Sequence, residues 1–440
     1  MQRFAIRALP LAVMLAAGTT AMAADLLQVY QEAKKYDATI AAAEAALRAG
    51  QEKSSQATAQ WLPKVQLDGQ YGYSSSTSTT ARGDVKTQGD SYGYSVSASQ
   101  PLYNATASVN ANQLNEQARL AEVTYAVARQ DLILRVAQAY FDVLYAQDSL
   151  EFVRAQKDAV SQQLAQAKKS FEVGVATITD THEAQAKYDG IVASEIAAEN
   201  ELMVKQNAFL QLTGVPAVGL AGLPAKMMAT PPVPADINAW VKQAEQKSLA
   251  IEGQRGALAI AEAEIDRYRF LRQPTLNLVA SYGQDWYKKD LAANAKDKRE
   301  SSIGVRLEIP IFTGGATSSK LRESLASRDE AQHKLEATRR DTAQTTKQAF
   351  LGVQAGAAQI KALEQALVSS QSSLDSTKLG REVGVRTTLD LLNAQQQYYS
   401  TKRDLAQARY NYLVNQLKLS AAVGELAEKD LEGVNAKLAR

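Results

Sequence analysis

Glu172 to Tyr188 reads EVGVATITDTHEAQAKY, and Glu382 to Tyr398 reads EVGVRTTLDLLNAQQQY. Matching positions are offset by 210 residues throughout, with no gap. A chain that repeats itself in register is built from two copies of one unit, and this bounds the fold more tightly than composition does. Each copy joins a glycine-centred turn, at Gly174 or Gly384, to Thr-x-x-Asp, from Thr177 to Asp180 or from Thr387 to Asp390. That spacing is a capping-box signature for the start of a helix. Each half is therefore expected to contain a helical hairpin.

Other elements follow the same duplicated plan. Leu26, Val29, Ala33, Tyr36, Ile40, Ala43 and Leu47 recur at steps of three and four, which predicts one helix ending before Pro63. Val65, Leu67, Gly69, Tyr71 and Tyr73 then alternate with Gln66, Asp68, Gln70, Gly72 and Ser74, the period of a strand with one apolar face. Residues 75 to 90 are polar and unpatterned and read as a loop. A second strand carries Tyr92, Tyr94, Val96 and Ala98 on one face and serines and Gly93 on the other. Residues 105 to 170 lack proline and predict a helix about 100 Å long, followed by the first hairpin and a helix to Leu212. Half of the ten prolines fall in 214 to 236, which reads as a linker.

The second half repeats these features. A helix is expected from Asp236 to Arg272, then a strand at Leu276 to Tyr282, a charged loop over 290 to 300, and a strand at Ile303 to Ile311. Another long helix spans 316 to 380, and Leu391, Tyr398, Leu405, Tyr412 and Leu419, seven apart, mark a coiled-coil seam. Gly352 and Gly356 suit close helix packing. The expected organisation is a leader over 1–23, a first repeat over 24–213, a linker or equatorial region over 214–236 and a second repeat over 237–440.

Compartment and class follow from composition. Arg3 and Arg7, an apolar run, and Ala21-Met22-Ala23 form a secretory signal. Without its two arginines the charges balance, which leaves no basic footprint for nucleic acid. No later run supplies the ~20 apolar residues of a membrane helix, so an exported membrane protein of this kind must span as strands. Cysteine is absent, which excludes disulfides, thiolate sites and a lipidated N-terminal Cys. His182 and His333 lie on different expected helices, no metal or cofactor is implied, and no nucleophile elbow or phosphate loop suggests an enzyme. Four amphipathic strands per chain cannot satisfy their edges in a bilayer, so a membrane reading requires closure with other copies, and three would give twelve strands. Tyr71, Tyr73, Tyr92, Tyr94, Tyr282, Trp286 and Tyr287 then form an aromatic girdle toward the loops. A soluble β-sandwich is the competing reading of the strands, and a periplasmic adaptor or structural protein of an envelope complex that of the whole chain.

The helix-strand-strand-helix duplication, PLY at Pro101 and PIF at Pro310, EVGVATITD and EVGVRTTLD at the hairpins, and ARYNYLVNQLKLSAAVGEL near the end together resemble the TolC family. The likeness covers essentially the whole chain after the leader, although the chain ends at Arg440 without a long polar tail. It implies an α+β membrane protein, a homotrimer in which a twelve-stranded β-barrel in outer-membrane lipid continues as an α-helical periplasmic tunnel. It also implies partners, a periplasmic adaptor and an inner-membrane pump of the ABC or RND type, for efflux of small molecules or type I protein secretion. The resemblance assigns the periplasmic aperture to the hairpins. Arg386 stands where the family has its aperture arginine, Asp390 at the first aperture aspartate, and Thr179 and Asp180 at partners on a neighbouring hairpin. Asn393 replaces a second aspartate, and Arg381 a tyrosine that helps to lock the closed state. Read from the residues alone, Asp180 and Asp390 serve equally well as helix caps.

Overall fold

The computed structural model describes residues 25–224, 226–269, 274–288 and 297–438. The expected leader, Arg272 and most of the expected charged loop after Asp290 lie outside the described residues. The strands are β1 Lys64–Thr80, β2 Gly83–Tyr103, β3 Thr275–Tyr287 and β4 Asp297–Glu308, antiparallel in the order β1-β2-β3-β4. Register joins the two halves of the chain into one surface. Leu67 faces Val96, which faces Tyr282, while Leu278 faces Val305 and Ala280 faces Ile303. The period of two therefore places the apolar residues of all four strands on a single face.

That face is bare. Val65 and Leu67 are each 70% exposed and Ile303 78%. A sandwich buries such a face against a second sheet, and the described residues contain no second sheet, so the sandwich reading fails. An uncovered apolar face backed by Gln66, Asp68, Ser95, Ser97 and Arg306 is the surface that lipid on one side and water on the other require.

Residues 75 to 90 are not a loop. They form a ribbon in which Ser76 pairs with Thr87 and Ser78 with Val85, closed at Ala81 and Arg82 with Gly83 at φ 110°. Over residues 75 to 86 both faces of this ribbon are exposed, so the sequence shows no alternation there, yet its threonines and Val85 favour extended backbone. Likewise, 297–300, expected as loop, begin β4.

The helices are α1 Leu26–Tyr36, α2 Ala38–Ala59, α3 Ala105–Glu172, α4 Ile178–Thr213, α5 Ile237–Lys247, α6 Leu249–Arg269, α7 Ala316–Glu382, α8 Thr388–Val423 and α9 Glu428–Asn435. At 68 and 67 residues, α3 and α7 are rods of about 100 Å. The expected single helix before Pro63 is broken at Asp37, which accepts from the Ile40 N–H at 3.3 Å and pairs with Arg135 at 2.7 Å. Ser248 likewise separates α5 from α6. Both breaks follow from one residue taking extended backbone at a cap, which leaves the apolar spacing of either flank unchanged. The duplication survives at the far ends too: Gly214 and Gly424 close α4 and α8 in the left-handed conformation at φ 72° and 88°.

The main core lies at the middle of the rods, around Tyr30, Tyr140, Phe141, Phe209, Tyr412 and Leu413. Segment 214–236 is packed onto it, with Ala217, Ala221 and Met227 buried. The Tyr140 hydroxyl donates to Ala221 O at 2.9 Å, and the Tyr412 hydroxyl donates to Thr230 O at 2.8 Å while accepting from Thr230 N–H at 3.0 Å. Along the α8 seam Leu391, Leu405, Tyr412 and Leu419 are buried and Tyr398 is half-buried. Gly352 and Gly356 of α7 face Asn415 and Tyr412 of α8, but a Cβ on either would meet them at 3.4 Å, ordinary contact, so the approach of the two helices does not require glycine there.

Candidate periplasmic aperture

The α3–α4 and α7–α8 hairpins have the same backbone. Gly174 and Gly384 take φ 78° and 83°, where an L side chain is strained, and the turn N–H groups of Val175 and Val385 return to Ser170 O and Gly380 O at 2.9 and 2.8 Å. Thr177 and Thr387 then cap α4 and α8. Each hydroxyl accepts from the aspartate N–H, at 3.2 Å for Asp180 and 3.0 Å for Asp390, and each carboxylate accepts from the threonine N–H at 3.0 Å. Two reciprocal capping boxes result, so both aspartates cap their helices. The Thr387 N–H and hydroxyl, with Arg386 nearby, hold the Asp390 carboxyl below its ordinary range.

The arginines separate the two turns. Arg381 reaches across to α3, donating through Nη1 to Gln163 Oε1 at 2.9 Å and Gln166 Oε1 at 2.7 Å. Arg386 is exposed and folds over Gly380, where a Cβ would come within 2.8 Å of its Cγ. Among the described residues no ion pair within the chain engages Arg386, and no hydrogen bond joins it to Thr179 or Asp180. Thr179 is exposed on the first turn of α4 and Asn393 on the second turn of α8. Behind the turns Leu392 enters a cluster with Val160, Leu164, Ala184 and Ile191, and Lys187 Nζ donates to Gln396 Oε1 at 2.9 Å. The two hairpins are thus locked side by side within one chain.

Sequence reasoning missed Gln163 and Gln166. Glutamine one turn from glutamine on a long polar helix carries no signal until its partner is seen. It also passed over the tips, where Val173, Val175, Val383 and Val385 are 67 to 77% exposed.

At the other end of the chain, Tyr71, Tyr92 and Trp286 share one row of the sheet, with Tyr92 and Trp286 stacked at 5.4 Å and Tyr94 5.9 Å from Trp286. Tyr73 and Tyr282 share that apolar face. Tyr287 does not: it lies opposite Ser91 on the polar face and leaves the girdle, because adjacent strand residues point to opposite sides. The band is also not at the β1–β2 turn, since the ribbon continues past it to Thr80.

A family model described as Outer membrane efflux protein matches residues 29–215 and 240–425, one span in each half. The outer membrane protein TolC of Vibrio cholerae is 35% identical over 98% of both chains. That of Escherichia coli is 33% identical over 95% of this chain and 86% of its own. The alkaline protease secretion protein AprF of Pseudomonas aeruginosa is 32% identical, over 94% and 88%. Among solved structures, the Campylobacter jejuni CmeC outer membrane channel aligns with a TM-score of 0.79 at 14% identity, covering 94% of this chain and 89% of that one. VceC of Vibrio cholerae gives 0.77 at 19% identity, over 91% and 96%. These likenesses agree with the bare apolar sheet and the paired rods, and the chain belongs to the TolC family of outer membrane efflux proteins, channels that lie in the outer membrane with a helical tunnel extending into the periplasm.

Proposed function

We propose that three copies of the chain, each freed of a leader over 1–23, close their sheets into one barrel and their helices into one tunnel, with the periplasmic aperture at the hairpins. The observation that carries this reading is a single four-stranded sheet with a bare apolar face and two unpaired edges. A bilayer cannot satisfy such edges, so the sheet needs other copies of itself. Two copies give an eight-stranded barrel, whose interior side chains fill, whereas three give twelve strands and room for a lumen. The rods support the same assembly. On α4, Ile196, Met203 and Leu210 stand exposed seven residues apart, and on α7 Leu351, Val368 and Leu379 are exposed, apolar stripes left uncovered by the described residues.

In this reading 24–213 and 237–440 are the two structural repeats, and 214–236 is the belt between them. Arg386 of one hairpin meets Asp180 and Thr179 of the next protomer's hairpin, with Asp390 lining the mouth and Arg381 bracing it from within. Such wet pairs are worth ~0–1 kcal/mol each, so a partner pulling on the hairpins opens them. The exposed valines of the tips offer that partner an apolar grip. A periplasmic adaptor bound there couples the tunnel to an inner-membrane pump of the ABC or RND type. The name of AprF, an alkaline protease secretion protein, favours protein cargo, and that of the Brucella suis outer membrane efflux protein BepC favours efflux. Light scattering of the protein in mild detergent tests the assembly: a trimer is expected, and a stable monomer contradicts it.

A further inference from the structure

The two free edges of the sheet carry complementary charge. On the polar face β1 has Lys64 and Asp68 near its start, and β4 has Arg306 and Glu308 at its end, all exposed. Among the described residues none of the four takes part in an ion pair within the chain, and Asp68 accepts only from its neighbour Gln66, at 2.6 Å. On the apolar face the same segments carry Val65 and Leu67, and Val305 and Leu307.

We propose that β4 of one protomer pairs antiparallel with β1 of the next, in a register that brings Glu308 to Lys64 and Arg306 to Asp68 on the lumen face and Leu307 to Val65 and Leu67 on the lipid face. This rests on the trimeric reading and adds the key that selects the partner edge. Three constraints meet in it. A slip of one residue would turn Leu307 into the lumen and Arg306 into lipid, so only registers that match like faces are open.

Direction of stagger comes next. Within the chain, the row that begins at Lys64 passes through Ser99 and Val279 to Gly304. β4 then runs about four residues further toward the helices, to Glu308. A neighbouring β1 that starts level with the end of β4 adds about four to six residues of stagger per protomer. That is one to one and a half residues per strand, ~3.4 Å along for each residue and ~4.8 Å across, which tilts the strands by about 35° to 45°. A level register, with Ile303 beside Val65, gives no tilt and does not close a barrel of ordinary shape.

Charge agrees with the stagger. At four residues Glu308 is directly opposite Lys64 and Arg306 diagonal to Asp68, and at six Arg306 is opposite Asp68 and Glu308 diagonal to Lys64. In each register the residue facing Gln66 is diagonal to both Lys64 and Asp68, so its attraction and repulsion offset, and each of the three boundaries keeps one directly facing pair of opposite charge.

Charge reversal and cross-linking of the full-length protein test this. Arg306→Glu with Glu308→Arg is expected to lower the temperature at which detergent-solubilised trimers dissociate. Adding Lys64→Glu and Asp68→Lys is expected to restore it. A fourfold variant less stable than the β4 double variant overturns the proposal. Because cysteine is absent from the chain, Leu307→Cys combined with Val65→Cys or Leu67→Cys is expected to link protomers under mild oxidation. Linking through Ile303→Cys with Val65→Cys, and not through Leu307, overturns the register. A wild-type protein that scatters as a monomer instead fails the trimeric reading itself, a separate result.

Discussion

The hairpins around Gly174 and Gly384 have one backbone and two sets of side chains. Both keep the left-handed glycine, the returning N–H groups and the Thr–Asp box. Among the positions that differ, Phe171 answers Arg381, Ser170 answers Gly380, Ala176 answers Arg386, Thr179 answers Leu389 and Glu183 answers Asn393. The first hairpin folds without either arginine, so neither is needed to make the turn. What both copies hold is enough to build the turn, and what the second alone holds, Arg381 and Arg386, is where the lock of a gate is to be sought. Gly380 and Arg386 differ together, since the arginine lies where a larger residue at 380 would stand.

The largest effects should fall equally on the two hairpins. Gly174→Val and Gly384→Val each force a β-branched side chain into left-handed backbone, at about 1–2 kcal/mol. Faster hydrogen exchange of the turn amides, by a similar factor in both, is expected; a large effect at one alone would break the claim of a shared scaffold. Thr177→Ala and Thr387→Ala should each cost about 1 kcal/mol of local helix stability by the same readout.

Smaller effects should be one-sided. Arg381→Phe, which installs the residue of the first copy, removes the bonds to Gln163 and Gln166, a loss of about 0.5–1.5 kcal/mol. In a double-mutant cycle with Gln166→Ala the two changes should be less than additive, and strict additivity would remove Arg381 as a brace. The smallest effect is one of pH. Because the Asp390 carboxyl is held below its ordinary range, it binds protons more weakly folded than unfolded. Its capping contribution is complete above the unfolded value of about 4 and fades as pH falls through the folded one. Exchange at the start of α8 should accelerate in acid, and Asp390→Asn should flatten that dependence.

How much of this was legible depended on whether a local rule was at stake. The caps were readable because Thr-x-x-Asp is a contact between residues three apart, and β1 to β4 because lipid on one side and water on the other impose a period of two. The ribbon beyond Tyr73 was not, since water bathes both its faces. The breaks at Asp37 and Ser248 were hidden because one capping residue does not disturb the spacing around it. Tyr287 was misplaced when aromatic type was given precedence over strand parity. The bond from Arg381 to Gln163 spans 218 residues, and no local pattern announces it.

The claim that the unshared side chains of the second hairpin hold the mouth shut is tested most directly by the resting conductance of Arg386→Ser in planar bilayers. Conductance well above wild type, with melting unchanged, is the expected result, and Asp390→Asn should weaken cation selectivity and divalent block by thinning the acidic ring. Variants that shift melting while conductance and ion selectivity stay at the wild-type level would contradict the account: Asp390 would be a cap alone, Arg386 would hold nothing shut, and the aperture would lie elsewhere.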